Sequence, residues 1–256
     1  MTADRYRSAL ITGASSGIGL EFAKELAARG TDLVVVARRT DRLEQLADEL
    51  TSVKVEVVTA DLATDAGVAA VEQRLRDQPV ELLINNAGVS TVGALHRQDA
   101  ADEARQVAVN VVALHRLTVA AVPAMVAAGR GGILNVSSIA GEQPLRGFAT
   151  YSATKAFVTR FSEALAAEIK RKGVHVTVLK PGYVWTEMNP DGPPRKSLQG
   201  RFWLEANEVA RHALDAVEAG RLYSVPGAHW RAASGLINAL PSQLVRGLSS
   251  RFDASA

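Results

Sequence analysis

Short apolar runs alternate along the chain with longer stretches whose apolar residues recur every three to four positions. "SALIT" at 8–12, "DLVVVA" at 32–37, "VKVEVV" at 53–58, "ELLIN" at 81–85, "GGILNVS" at 131–137 and "VHVTVLK" at 174–180 are rich in Val, Leu and Ile. Most lack strict polar alternation, as strands covered on both faces do. Between them, helical periodicity predicts helices at 17–29, 40–50, 65–77, about 100–128 and 151–172. A further helix near 206–219 leads into "RLYSV" at 221–225, read as the last strand. This β-α-β-α order predicts an α/β fold: a doubly wound parallel sheet of Rossmann-like type, with right-handed crossovers and helices on both faces. Ligands of such sheets bind beyond the carboxyl ends of the strands.

The chain has 256 residues, 47% of them hydrophobic, enough for one well-buried core. One domain over 1–256 is expected, with a core at about 8–226 and a helical extension at about 227–256. Net charge is +2, with acids and bases mixed, so no nucleic-acid partner is expected. No cysteine is present, which excludes disulfides and thiolate chemistry. The N-terminus lacks the apolar core of a signal peptide, and no run reaches the roughly 18 apolar residues of a membrane span. A cytoplasmic location is expected. No metal is expected, because the five histidines form no ligand spacing.

Candidate chemistry starts at "TGASSGIG", residues 12–19, directly after the first apolar run. Glycines let a backbone turn with φ > 0 and approach a ligand closely, and a helix N-terminus presents free N–H groups. Together they suit a pyrophosphate. The spacing, Gly13-x3-Gly17-x-Gly19, is not the G-x-G-x-x-G fingerprint, and no Gly-Lys-Ser/Thr follows. The second run ends at Ala37, followed by Arg38 and Arg39, where NAD-binding folds usually place an acid. Two guanidiniums suit a 2′-phosphate, so NADP(H) is favoured, with NAD(H) as the other choice. Tyr151 and Lys155 stand four apart on one face of a predicted helix. A neighbouring ammonium lowers a tyrosine pKa, which suits proton exchange. Ser137 and Ser138 end the fifth run, and Asn110 is an amide among apolar neighbours.

As an ordered set these residues resemble the short-chain dehydrogenase/reductase family. The resemblance rests on "TGASSGIG", "NNAG" at 85–88, Asn110, "NVSS" ending at Ser138, "YSATK" at 151–155 and "KPGYVWT" at 180–186. It implies Tyr151 as general acid/base, with Lys155 holding the nicotinamide ribose and depressing the tyrosine pKa. It further implies Ser138 on the substrate oxygen and Asn110 supporting a proton-relay water. Gly13, Ser15, Ser16, Gly17, Ile18 and Gly19 would bind the pyrophosphate side, and Arg38 and Arg39 the 2′-phosphate. Asp61 and Leu62 would meet the adenine, and Asn86, Ala87 and Gly88 would run along the cofactor. Pro181, Gly182, Val184 and Thr186 would frame the nicotinamide. The implied activity is hydride transfer between a small-molecule ketone or aldehyde and an alcohol, on an apolar substrate. An alternative from a different class is a cofactor-bound regulatory or scaffold protein with little catalysis, against which intact Ser138, Tyr151 and Lys155 argue. A homodimer or homotetramer through the helices near 100–128 and 151–172 is also implied.

Two segments remain open. Residues 189–201, "NPDGPPRKSLQGR", read as a surface loop or a lid. In the tail, Trp230, Ala233, Ile237, Leu240, Leu244, Leu248 and Phe252 form an apolar stripe, with Arg231, Arg246 and Arg251 off it and a break near Pro241. Packing against the body or a second subunit is favoured over a roof on the substrate pocket and over membrane-surface docking.

Overall fold

The computed structural model describes residues 6–190 and 192–239, with side chains to residue 236. Strands β1 (Ser8–Thr12), β2 (Asp32–Ala37), β3 (Val55–Thr59), β4 (Leu82–Asn85), β5 (Gly131–Val136), β6 (Val174–Leu179), β7 (Val184–Trp185), β8 (Leu204–Glu205) and β9 (Tyr223–Ser224) form two sheets. Seven of them make one sheet in the order β3-β2-β1-β4-β5-β6-β9, every pair parallel. β7 and β8 form a separate parallel pair.

The apolar runs lack alternation because both faces of this sheet are covered. In β1, Ala9 and Ile11 face helices α1 (Gly17–Ala28), α2 (Thr40–Glu49) and α7 (Ala206–Glu218), through Phe22, Leu26, Leu46, Val209 and Leu214. Leu10, between them, faces the opposite layer of α3 (Asp65–Asp77), α5 (Leu114–Ala128) and α6 (Ala149–Ile169), built on Val71, Leu75, Leu117 and Leu165. Side-chain alternation along a strand makes this two-sided division unavoidable. The edge strands depart from this: β3 exposes Glu56 and Thr59, and β9 exposes Tyr223.

The strand order reverses between β1 and β4. The chain winds outward through β2 and β3, returns to β4 and continues the other way. The crevice beyond the carboxyl ends of β1 and β4 is therefore the expected ligand site. The glycine loop follows β1 and Asn86–Gly88 follow β4.

The expected helix at about 100–128 is broken in its hydrogen-bond register. α4 (Ala100–Val107) passes through a π-helical stretch, Ala108–Ala113, into α5. Asn110 lies inside that stretch, and such bulges are found at functional sites. By length and composition Ala100–Ala128 is also apolar enough to cross a membrane, with a mean hydropathy of 1.7 over 18 of its residues, contrary to the expectation that no run qualifies. Here Leu117, Ala121 and Met125 lie in the core instead. The helix expected at 151–172 begins two residues earlier, at Ala149, and tightens to a 3₁₀ turn after Ile169.

The tail leaves β9 and forms α8 (Ala228–Ala239). It packs on the body. The Trp230 indole donates to Phe202 O at 2.9 Å, and the Ser234 hydroxyl to Glu142 Oε1 at 2.8 Å. Beneath it Lys180 and Glu142 make a buried ion pair at 3.1 Å. Leu240, Leu244, Leu248, Phe252, Arg246, Arg251 and the expected break at Pro241 lie outside the described residues, as does the side chain of Ile237.

Candidate active site

The β1–α1 turn needs two glycines in the left-handed region, Gly13 at φ +70° and Gly17 at φ +57°. At Gly19 the reason is space: a Cβ there would drive into Gly13 O and the Asn86 amide. Ser16 precedes α1 without a side-chain cap, and the first turn holds no acid. The first-turn N–H groups are therefore left for an anion. Asn86 donates its amide to Thr12 O at 2.9 Å, and Thr12 Oγ1 accepts from Asn86 N and Ala87 N, each at 3.0 Å. The loop after β4 is thereby tied to the glycine loop.

At the end of β2, Arg38 is exposed. Arg39 turns back onto the glycine loop, donating to Ser16 Oγ at 2.8 Å and Ser15 Oγ at 3.1 Å. It also pairs with Glu187 at 2.9 Å. Asp61, after β3, accepts from Ala63 N and pairs with Arg105 of α4, at 3.0 Å in both cases. Against the cost of desolvation, the Ala63 amide and the Arg105 guanidinium hold the Asp61 carboxyl below its usual range. Leu62 is buried beside it.

The proton-transfer group sits where β5 ends. The Ser137 hydroxyl donates to Lys155 O at 2.8 Å and shares a bond with Thr159 Oγ1, which commits it to the backbone of α6. The Ser138 hydroxyl accepts from Ala140 N at 3.1 Å and hydrogen-bonds Tyr151. Lys155 is 4% exposed and donates through Nζ to Val136 O at 2.9 Å. Burial alone pulls its ammonium down to about 8. Burial raises the Tyr151 phenol, with the Ser138 hydrogen bond opposing it. The net shift of the tyrosine is therefore upward, against the expected depression. Nζ lies 5.7 Å from the Tyr151 ring centroid and is engaged by a carbonyl, so desolvation outweighs charge–charge attraction.

Asn110 reaches this group through the loop after β4. Its Oδ1 accepts from Val89 N and its Nδ2 donates to Val89 O, both at 2.9 Å, and Nδ2 also donates to Thr154 at 3.1 Å. A Cβ on Gly88 would stand 3.4 Å from both Asn110 Oδ1 and Lys155 Nζ, so the three converge.

One cleft of about 550 Å³, a size suited to a cofactor, brings these parts together. It is lined by Gly13, Ser15, Ser16, Gly17, Ile18, Arg38, Arg39, Asp61, Leu62, Asn86, Ala87, Gly88, Ser138, Tyr151, Lys155, Pro181, Gly182, Val184 and Thr186. Gly19 and Asn110 are set behind its wall. Arg105 and Glu187 also line it, and nothing in their local sequence marks them. Against the Gly182 end of the cleft lies an aromatic cluster. Tyr183 stacks on Trp203 at 5.0 Å, Trp203 meets Trp185 at 4.4 Å, and Trp230 covers Gly182. From the stretch expected as loop or lid, Arg195 meets this cluster: it lies over Trp185 and pairs with Glu205.

A sequence model described as short chain dehydrogenase matches residues 7–196. The chain belongs to this family. Among curated relatives, a very-long-chain 3-oxoacyl-CoA reductase from Anas platyrhynchos is 34% identical over 194 residues, 73% of this chain and 62% of the relative. The chain thus spans about three-fifths of that relative's length. Two solved structures of the family match nearly throughout. A short-chain dehydrogenase from Sphingobium yanoikuyae in complex with NADPH is 36% identical, with a TM-score of 0.82 and 97% of each chain covered. A bulky-bulky ketone specific alcohol dehydrogenase from Comamonas testosteroni is 34% identical, with a TM-score of 0.81, 98% of this chain and 97% of the other covered.

Proposed function

We propose that the protein is an NADP(H)-dependent oxidoreductase that interconverts a bulky apolar ketone or aldehyde and its alcohol. The observation carrying this reading is the meeting of Ser138, Tyr151 and Lys155 in the same cleft as an anion cradle that a Cβ on Gly13 would obstruct, 2.9 Å from Ala87 Cα. The residues present fit a nicotinamide dinucleotide. Gly13–Ile18 would hold the pyrophosphate, Asp61 and Leu62 the adenine, and Lys155 the ribose next to the nicotinamide. Pro181, Gly182, Val184 and Thr186 would hold the ring. When bound, the nicotinamide supplies or takes up the hydride. Tyr151 gives its phenolic proton to the carbonyl oxygen in reduction and recovers it in oxidation. Ser138 donates a hydrogen bond to that oxygen as charge develops there. The Lys155 ammonium steadies the phenolate that Tyr151 leaves behind, while Asn110 fixes the loop wall beside it and supports a water on the proton path.

Preference for the 2′-phosphorylated cofactor is supported by Ala37 in the usual place of an acid and by Arg38 and Arg39 beyond it, and by the NADPH bound to the Sphingobium relative. An apolar substrate is supported by the exposed Met188 in the cleft wall and by the activities for which the relatives are named. A homodimer or homotetramer fits the exposed Val112, Val119 and Phe157 on the faces of the π-helical stretch, α5 and α6, with Phe157 stacked on Phe161 at 5.7 Å. Light scattering at the mass of one chain would refute that part.

Fluorescence titration with NADPH and NADH tests the cofactor reading. Tighter binding of NADPH, by about tenfold or more for charge-assisted phosphate contacts, is expected. Equal binding, or preference for NADH, removes Arg38 and Arg39 from the cofactor site.

A further inference from the structure

Glu187 belongs to neither the proton-transfer group nor the expected cofactor contacts, yet it spans the cleft. It follows Thr186 on the nicotinamide side. Its two carboxylate oxygens meet Arg39 of the opposite wall at 2.9 Å and Arg42, on α2 beyond it, at 2.5 Å. Arg39 adjoins the exposed Arg38 at the end of β2, the corner read above as the 2′-phosphate subsite. The same Arg39 guanidinium reaches Ser15 and Ser16 of the glycine loop. A side chain from the substrate side thus neutralises the cations of the adenosine side.

We propose that Glu187 is an internal stand-in for the 2′-phosphate: it occupies Arg39 and Arg42, and a 2′-phosphorylated nucleotide displaces it and releases the residues beside it, Thr186 to Asn189. The inference rests on the NADP(H) reading and adds a residue that governs cofactor discrimination. The competition is chemically uneven. The carboxylate carries one charge, whereas a phosphate monoester carries about −1.5 to −2 and three acceptor oxygens. Arg39, Arg42 and Glu187 are each about half exposed, at 40%, 42% and 54% of their side chains, and ion pairs in such settings are weak. Hydrogen bonds from Arg42 and Arg39 hold the Glu187 carboxyl down at about 2, so the tie remains charged throughout the neutral range. The released segment adjoins the aromatic cluster at Trp185, which meets Trp203 at 4.4 Å. An unphosphorylated ribose offers no anion to compete, so NAD(H) would leave the tie closed.

The chain's three tryptophans, Trp185, Trp203 and Trp230, all belong to this cluster, so intrinsic fluorescence reports on it. The test is calorimetric binding of adenosine 2′,5′-bisphosphate and of AMP to the wild-type chain and to Glu187→Gln, with tryptophan emission followed in the same titrations. Glu187→Gln is expected to tighten the bisphosphate by about three- to tenfold, the range of one or two surface ion pairs, and to leave AMP unchanged. The bisphosphate is expected to shift the wild-type emission towards that of the ligand-free variant. Unchanged bisphosphate affinity in the variant, or equal tightening of both nucleotides, overturns the inference. If the wild type prefers the bisphosphate and the variant adds nothing, Glu187 is no stand-in while the NADP(H) reading stands. If the wild type shows no preference and the variant acquires one, Glu187 masks the arginines while the NADP(H) reading falls.

Discussion

The two walls of the cleft are built by different means. The wall after β1, β2 and β4 is backbone held by core strands: Thr12 Oγ1 grips two amides of the facing loop, and Gly19 has no room for a Cβ. The wall from Pro181 to Asn189 is backed by side-chain packing, the aromatic cluster of Tyr183, Trp185 and Trp203, with only a two-residue ladder, β7 to β8, beneath it. Backbone geometry enforced by sterics tolerates little change. A stacked aromatic wall changes shape with every side chain, which suits the side that selects substrate. In the proposed function, one wall would carry the shared chemistry and the other the specificity.

The largest expected effect lies where the walls meet. Tyr151→Phe keeps the ring and removes the proton donor, so turnover is expected to fall by about 10²- to 10⁴-fold, with NADPH affinity unchanged by fluorescence titration. Next is the rigid wall. Gly19→Ala forces a Cβ into Gly13 O; a loss of about 1–3 kcal/mol in urea unfolding and weaker NADPH binding are expected. Wild-type stability in that variant would show the turn to be as adaptable as the aromatic wall. There, Trp203→Leu removes the contacts to Tyr183 and Trp185 at a cost of roughly 0.5–1.5 kcal/mol for each. It is expected to change KM for bulky ketones far more than the affinity for NADPH. An equal change in both would erase the division of labour.

The smallest effect concerns pH. Lys155 loses its ammonium as pH rises through about 8, and with it the support for the phenolate. Reductive kcat/KM is expected to be level below that pH, to be about halved there, and to decline above it. Tyr151 stays protonated through this range because burial raises its pKa. A profile level into the alkaline range would separate Lys155 from proton transfer.

Legibility in the sequence follows the same division. Strands buried on both faces must read as unbroken apolar runs, so the sheet was open to inspection, as were the glycine turn and the Tyr151–Lys155 spacing on one helix face. The π-helical stretch was not, because Ala108–Ala113 carries the same apolar pattern either way. Its register goes with Asn110 gripping Val89, a contact made in three dimensions. Arg105–Asp61 and Arg39–Glu187 join residues 44 and 148 positions apart, and lone charges carry no spacing signal. The Tyr151 pKa was expected to fall because Lys155 is near. Proximity along a helix says nothing of the Val136 carbonyl that engages the ammonium, or of the burial that outweighs it.

The central claim is hydride transfer at the meeting of the two walls. It is tested most directly by incubating the protein with a panel of bulky apolar ketones and NADPH deuterated on its transferable ring carbon, then locating the label in the product by mass spectrometry. Deuterium on the carbinol carbon of the alcohol, absent with Tyr151→Phe, is the expected result. Tight NADPH binding with no labelled alcohol from any ketone would contradict it.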